Sequence, residues 1–164
     1  MIERYTRPEM ANIWSQENKL KIMMEVEVLA CEGMAAIGQI PAKAAKNIRA
    51  KANFNVDRVN EIEKTTRHDV IAFLSCVAEY IGDDAKYMHA GMTSSDVLDT
   101  ALAVQMKQAG EIILEQLKAF AQVLREKAIQ YKDTLCIGRT HAVHAEPITF
   151  VLKLAVWYEE TLRN

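Results

Sequence analysis

Apolar positions recur along this chain at steps of three and four residues, the spacing of one face of an α-helix. Leu20, Met23, Met24, Val28, Cys31, Met34 and Ile37 form one such stripe. Ser15 stands before it as an N-cap and Gly38 after it as a left-handed C-terminal residue, which predicts a helix over about 16–37. The same reasoning predicts shorter helices over about 42–52, opened by Pro41, and about 56–65, capped by Asn55. Residues 70–81 are mostly apolar and stop at Gly82, the mark of a buried helix. Thr6-Arg7-Pro8-Glu9 has the T-x-x-E form of a capping box, which predicts a short first helix.

Residues 83–92 read as a loop, and Thr93-Ser94-Ser95-Asp96 then opens the longest element. From about 95 to 132 there is no proline and a single glycine, Gly110. Leu98, Leu102, Ala109, Ile112, Leu117, Phe120, Leu124 and Tyr131 recur at helical steps. At 1.5 Å per residue this helix is roughly 57 Å long. A domain of this size has a radius of gyration of only about 15 Å. The stripe therefore needs partner chains or further sequence to cover it. Residues 133–146 read as a second loop, and Pro147 suits the first turn of a last helix carrying Phe150, Val151, Leu154, Trp157, Tyr158 and Leu162. That helix reaches Asn164 without a stop signal, so the chain reads as cut rather than finished. No alternating β-branched run and no Asn-Gly turn occurs. The expected fold class is all-α, with a small N-terminal helical domain over about 1–90 and the first part of a long-helix bundle over 91–164.

Composition narrows the function. Lys and Arg number 20 against 22 Asp and Glu, a net charge of −2, so the basic excess of a general nucleic-acid binder is missing. No apolar run is long enough to span a membrane, and MIERYTRPEM lacks the apolar core of a secretory signal. Cys31, Cys76 and Cys136 lie far apart with no CxxC, which argues against a disulfide scaffold or cysteine zinc site and for a cytoplasmic, reducing setting. Nucleotide-binding Gly-rich, HExxH and GxSxG motifs are absent.

The candidate chemistry sits in the breaks between helices. His68, His89, His141 and His144 all fall in polar loops or at helix starts. A lone histidine there is usually a surface or capping residue, but four of four beside Arg, Asp, Thr and Ser weaken that explanation. Thr93, Ser94 and Ser95 at a helix N-terminus offer free N–H groups, hydroxyls and the positive dipole end, an anion site; capping alone needs one of them. Arg67-His68-Asp69 combines a cation, an imidazole and a capping carboxylate. Arg4-Tyr5 offers a guanidinium fork and a hydroxyl suited to phosphate. His141, His144 and Glu146 invite a metal reading, but zinc sites want a helix-borne H-x-x-x-H or more ligands. An imidazole acid or base in an anion-binding loop is the better reading of His141.

MIERYTRPEMANIWS at the start, TTRHDV at 65–70, MHAGMTSSDVLDTA at 88–101 and GRTHAVHAEP at 138–147 together resemble the N-terminal part of the adenylosuccinate lyases, in the fumarase/aspartase superfamily. GMTSSDVLDT and GRTH resemble two of that superfamily's three shared regions; the other segments narrow the likeness. It covers essentially the whole chain.

The resemblance implies a carbon–nitrogen lyase of purine and AMP biosynthesis. Such enzymes eliminate fumarate from adenylosuccinate to give AMP, and from SAICAR to give AICAR, with no metal or organic cofactor. It implies His141 as the general acid, Thr93 and Ser94 on a succinyl carboxylate, Arg67, His68 and Asp69 on the substrate, and Arg4 and Tyr5 on the nucleotide. His89 is implied to lie near the site without an assigned role. The superfamily's third region, a mobile GSSxMPxKxN loop whose serine acts as the base, has no counterpart before Asn164. The isolated chain is therefore expected to be inactive. The family's homotetramer fits a separate inference. About nine residues join the end of the long helix to His141, and extended they reach at most about 32 Å, against roughly 57 Å of helix. Thr93 and His141 acting in one site would then come from different chains. Two rivals stand beside this reading: a helical oligomerisation module without catalysis, and a metal-binding protein using His141 and His144.

Overall fold

Helix α5, Asp69–Ile81, is the element around which the N-terminal part of the chain is built. The structure is a computed structural model that describes residues 2–164, the Glu3 side chain apart; Met1, with which the opening motif begins, lies outside them. Val70, Ala72, Phe73, Cys76 and Val77 are all fully buried. Helices α2 (Gln16–Ala36), α3 (Ala42–Lys51) and α4 (Val56–Thr66) supply Met23, Val28, Cys31, Ile48 and Val59 to the same core. Phe54 meets Phe73 edge to face, with ring centroids 6.4 Å apart. Seen from outside, Arg49 of α3 clamps Glu25 and Glu32 of α2, and Arg58 of α4 clamps Glu79 of α5. These exposed pairs set register more than they stabilise.

The caps follow from the sequence. The Ser15 hydroxyl accepts the Asn18 N–H at 3.1 Å and the Asn55 amide oxygen accepts the Arg58 N–H at 2.9 Å. Gly38 and Gly82 take positive φ at the ends of α2 and α5. The expected capping box at Thr6 does not form. The Thr6 hydroxyl donates back to the Ile2 carbonyl instead, and helix α1 (Pro8–Ile13) starts after Arg7 with no side-chain cap. Its far end is tied down by Gln105 and Asn18, whose side-chain amides both donate to the Ile13 carbonyl. The loop expected over 83–92 contains a 3-10 turn, Asp83–Tyr87.

Helix α6 runs unbroken over Ser94–Gln130, 37 residues. Val97 and Ala101 on its first turns are fully buried in the core around α5. The chain divides into two compact units, residues 1–109 and 110–164, and α6 begins in the first and ends in the second. In the second unit Ala121, Leu124 and Leu154 are buried, and Tyr131 meets Phe150 edge to face at 6.0 Å. Ile113, Leu114, Phe120 and Ile129 remain about half exposed or more.

The all-α expectation holds with one exception. Where a loop is expected over 133–146 and the start of the last helix at Pro147, residues 135–149 form an antiparallel hairpin of β1 (Leu135–Thr140) and β2 (Val143–Thr149). Pro147 therefore lies in a strand, not in the first turn of a helix. Helix α7 starts later, at Phe150, and runs to Arg163. Proline is tolerated because a two-stranded hairpin has only edges. Among the described residues no helix is long and apolar enough to cross a membrane.

Phe73 gives the simplest test of this core. Phe73→Ala should cost about 3–5 kcal/mol of unfolding free energy in urea, against a few tenths for a change at an exposed site.

Candidate active site

Three of the loops singled out by sequence lie in the first unit. Arg67 ends α4 in the left-handed region (φ 53°), which turns the chain sharply into His68. His68, rather than Asp69, is the N-cap of α5. Its Nδ1 accepts the Ile71 N–H at 3.4 Å and lies 3.7 Å from the Asp69 carboxylate. One nitrogen cannot accept and donate at once, so with Nδ1 accepting the Ile71 N–H the Asp69 carboxylate is a neighbour of the ring and not its hydrogen-bond partner. Asp69 is the first helical residue; its Oδ1 accepts the Val70 N–H, and its Oδ2 lies 4.0 Å from the Lys19 ammonium. A cleft of about 620 Å³ opens beside it, lined also by Trp14, Lys19, Leu98, Asp99 and Gln105. Arg67, His68 and Asp69 are all exposed.

Thr93 stands at the N-cap of α6. Its N–H donates to the Asp96 carboxylate at 2.8 Å, so Asp96 supplies half of a capping box. Ser94 is the first helical residue, half-buried, and Thr93 is exposed. Arg4 and Tyr5 lie in a 3-10 turn, the guanidinium 4.8 Å from the centre of the exposed Tyr5 ring. Among the described residues no hydrogen bond or ion pair joins Arg4 or Tyr5 to His68, Asp69, Thr93 or Ser94; Asp69 shares its cleft with the first turns of α6.

His141 belongs to the second unit, at the tip of the hairpin. Thr140 pairs with Val143, leaving His141 and Ala142 as a two-residue loop with φ 50° and 61°. Two positive φ values are what a type I′ turn demands, and neither residue is the usual Asn or Gly. The turn holds the exposed imidazole on a strained backbone, a condition that concentrates at functional sites. Below it, the register shifts between Ile137 and Arg139, and a Cβ on Gly138 would stand 2.9 Å from the Glu146 carbonyl oxygen. The glycine of the GRTH segment is thus required by close backbone approach at a bulge. His144 pairs across with Arg139. Among the described residues no group of three His, Cys, Asp or Glu is placed to hold a metal ion.

Sequence reasoning missed Glu27. It sits in α2 with no exposed surface, and its carboxylate takes both the His89 ring, Nδ1 to Oε1 at 2.6 Å, and the His89 N–H at 2.9 Å. A signal was present, since Glu27 stands four residues after Met23 and four before Cys31, on the buried stripe. Burial, with the Glu27 and Glu32 carboxylates adding to it, pushes the Cys31 thiol up to about 11.

The chain matches, over residues 3–164, the family described as Lyase, and it belongs to that family. Within it the likeness is to adenylosuccinate lyases. The chain is 52% identical over all 164 residues to the adenylosuccinate lyase of Bacillus subtilis (strain 168) and 53% identical to that of Streptococcus mutans serotype c, and it spans 38% of the length of each. Among solved structures it resembles a fumarate lyase from Mesorhizobium sp. BNC1, 27% identical with a TM-score of 0.89. It also resembles a 3-carboxy-cis,cis-muconate lactonizing enzyme from Pseudomonas putida, 29% identical with a TM-score of 0.90. Each superposition covers 97% of this chain and 38% of the other.

Two outcomes follow from these local geometries. Gly138→Ala should destabilise the hairpin by about 1–3 kcal/mol, whereas Ala142→Gly should stabilise it by up to about 1 kcal/mol, both read from thermal melts. Cys31 makes stability pH-dependent at the alkaline end. Its folded pKa is raised from 9.0 to about 11, so its contribution is whole below about pH 9 and is lost as pH rises through 11. A denaturant series over that range should give a shallower alkaline limb for Cys31→Ala than for the parent chain.

Proposed function

We propose that this chain is the N-terminal part of an adenylosuccinate lyase, a cytoplasmic enzyme of purine biosynthesis that splits adenylosuccinate to AMP and fumarate and SAICAR to AICAR and fumarate. The observation that carries the reading is the 52–53% identity to adenylosuccinate lyases across all 164 residues.

The roles are those the resemblance implies, and the chemistry is consistent with them. A base takes the proton from the succinyl carbon next to a carboxylate, the electron pair forms the fumarate double bond, and the carbon–nitrogen bond breaks. Its electrons pass to the purine nitrogen, which must collect a proton. Negative charge builds on the carboxylate in the transition state, so fixed donors there lower the barrier. Thr93 and Ser94 supply them, with the first-turn N–H groups and the dipole of α6 behind them. His141 gives the proton to the leaving nitrogen; imidazoles titrate near neutral pH, which suits the task. Its place at a hairpin tip leaves the ring free to enter a site that other chain segments complete. Arg67, His68 and Asp69 contact the substrate, and Arg4 with Tyr5 holds the nucleotide. The base belongs to a serine-bearing loop of the longer protein, and no metal or organic cofactor takes part.

Helix α6 bears on assembly. Its 37 residues span about 55 Å at 1.5 Å per residue. Its half-exposed Ile113, Leu114 and Phe120 suit burial against other helices. Each complete site in this proposal draws on more than one copy of a homotetramer.

An assay with adenylosuccinate tests the reading. The 164-residue chain alone should show no loss of succinyl-purine absorbance, and turnover by it would place the base within these residues. In a longer protein containing this chain, His141→Asn should lower kcat by roughly 10²–10⁴-fold. An unchanged kcat would remove His141 from the acid role.

A further inference from the structure

Glu27 is the one acidic side chain described here with no exposed surface, and all its hydrogen bonding is spent on a single residue. A carboxylate is not left in a core for packing; its burial costs several kcal/mol unless it is fully engaged. Both of its oxygens are engaged by His89, one by the main-chain N–H and one by the ring. His89 itself is held in the left-handed region at φ 60° and opens the turn closed by the Met92 N–H on the His89 carbonyl, one residue before Thr93. Among the described residues no other cation lies within ion-pair reach of Glu27.

We infer that Glu27 is a positioning residue, which holds His89 in the tautomer with hydrogen on Nδ1 and leaves Nε2 as the ring nitrogen offered to a ligand. Both oxygens of Glu27 face His89, and as a carboxylate they only accept, which puts the hydrogen of the 2.6 Å contact on Nδ1 in the proposed arrangement. The second oxygen, on the His89 N–H, fixes the backbone at the same time. One buried group thus sets the ring and the turn that delivers Thr93 and Ser94 to the start of α6. The arrangement is that of a carboxylate orienting an imidazole from behind.

Glu27→Gln separates these two tasks. Its amide oxygen still accepts the His89 N–H, but its amide nitrogen now faces Nδ1 and must donate. The ring hydrogen then moves to Nε2, with the fold kept. Long-range proton–nitrogen NMR of the labelled 164-residue chain, at a pH where the rings are neutral, reads the tautomer directly. His89 should carry its hydrogen on Nδ1 in the parent chain and on Nε2 in Glu27→Gln. An Nε2-protonated ring in the parent chain overturns the inference without recourse to any variant, as does a ring indifferent to Glu27→Gln.

The kinetic consequence rests on the lyase reading above. In the longer protein Glu27→Gln should raise KM for adenylosuccinate about tenfold with a smaller change in kcat, because Nε2 of His89 then loses its capacity to accept from a substrate hydroxyl or N–H, a contact away from the breaking bond. The same change made on a His89→Asn background should have no further effect. An additive loss there would mean that Glu27 acts without His89, against the inference. A parent protein inactive on adenylosuccinate would sink the lyase reading and leave the tautomer result to decide the role of Glu27.

Discussion

Burial of helix α5 is the contact on which the first unit depends. Val70, Phe73, Cys76 and Val77 are buried all round: α3, α4 and the 3-10 turn pack closely on α5, and α2 and the opening turns of α6 add their buried residues to the same cluster. That packing leaves helix ends, not helix faces, as the places where polar groups gather. His68 and Asp69 stand at the start of α5 and Thr93 and Ser94 at the start of α6, where unpaired N–H groups and the dipole already favour negative charge. The proposed site is a by-product of how the core is stacked.

Much of this was legible from residue order. Ser15, Asn55, Gly38 and Gly82 mark helix boundaries through local hydrogen bonding and backbone freedom, which need no tertiary context. Thr6 was misleading because a capping box needs its hydroxyl, and a neighbouring carbonyl took it. The hairpin was hidden for a different reason: its strands contain Gly138 and Pro147, and its turn uses His and Ala where Asn-Gly would have announced it. Of the candidate site, the histidine-bearing breaks stood out because polar residues interrupted helical periodicity. Glu27 did not, because a single carboxylate on an apolar stripe reads as noise until a partner 62 positions away is seen beside it.

The comparisons separate scaffold from substrate. Solved structures of a fumarate lyase and a muconate lactonizing enzyme share this chain's fold with TM-scores of 0.89 and 0.90 at 27% and 29% identity. A common helical scaffold thus carries enzymes of different names, as expected when function resides in sites placed on a fold and not in the fold itself. The second unit, with few buried side chains of its own, exposes apolar positions on α6 and α7 such as Phe120 and Trp157. In a longer, assembled protein those positions are available to helices this chain does not contain.

The turn at His141 and Ala142 inverts the chain's ordinary handedness for two residues. A mirror-image amino acid would sit at position 142 without strain, whereas the natural L-alanine sits there only because both strands hold it. Any replacement at 141 therefore changes two things, the side-chain chemistry and the cost of its backbone. A β-branched substitute would open the turn as well as delete the imidazole, and asparagine, at ease in that region, would delete the imidazole alone.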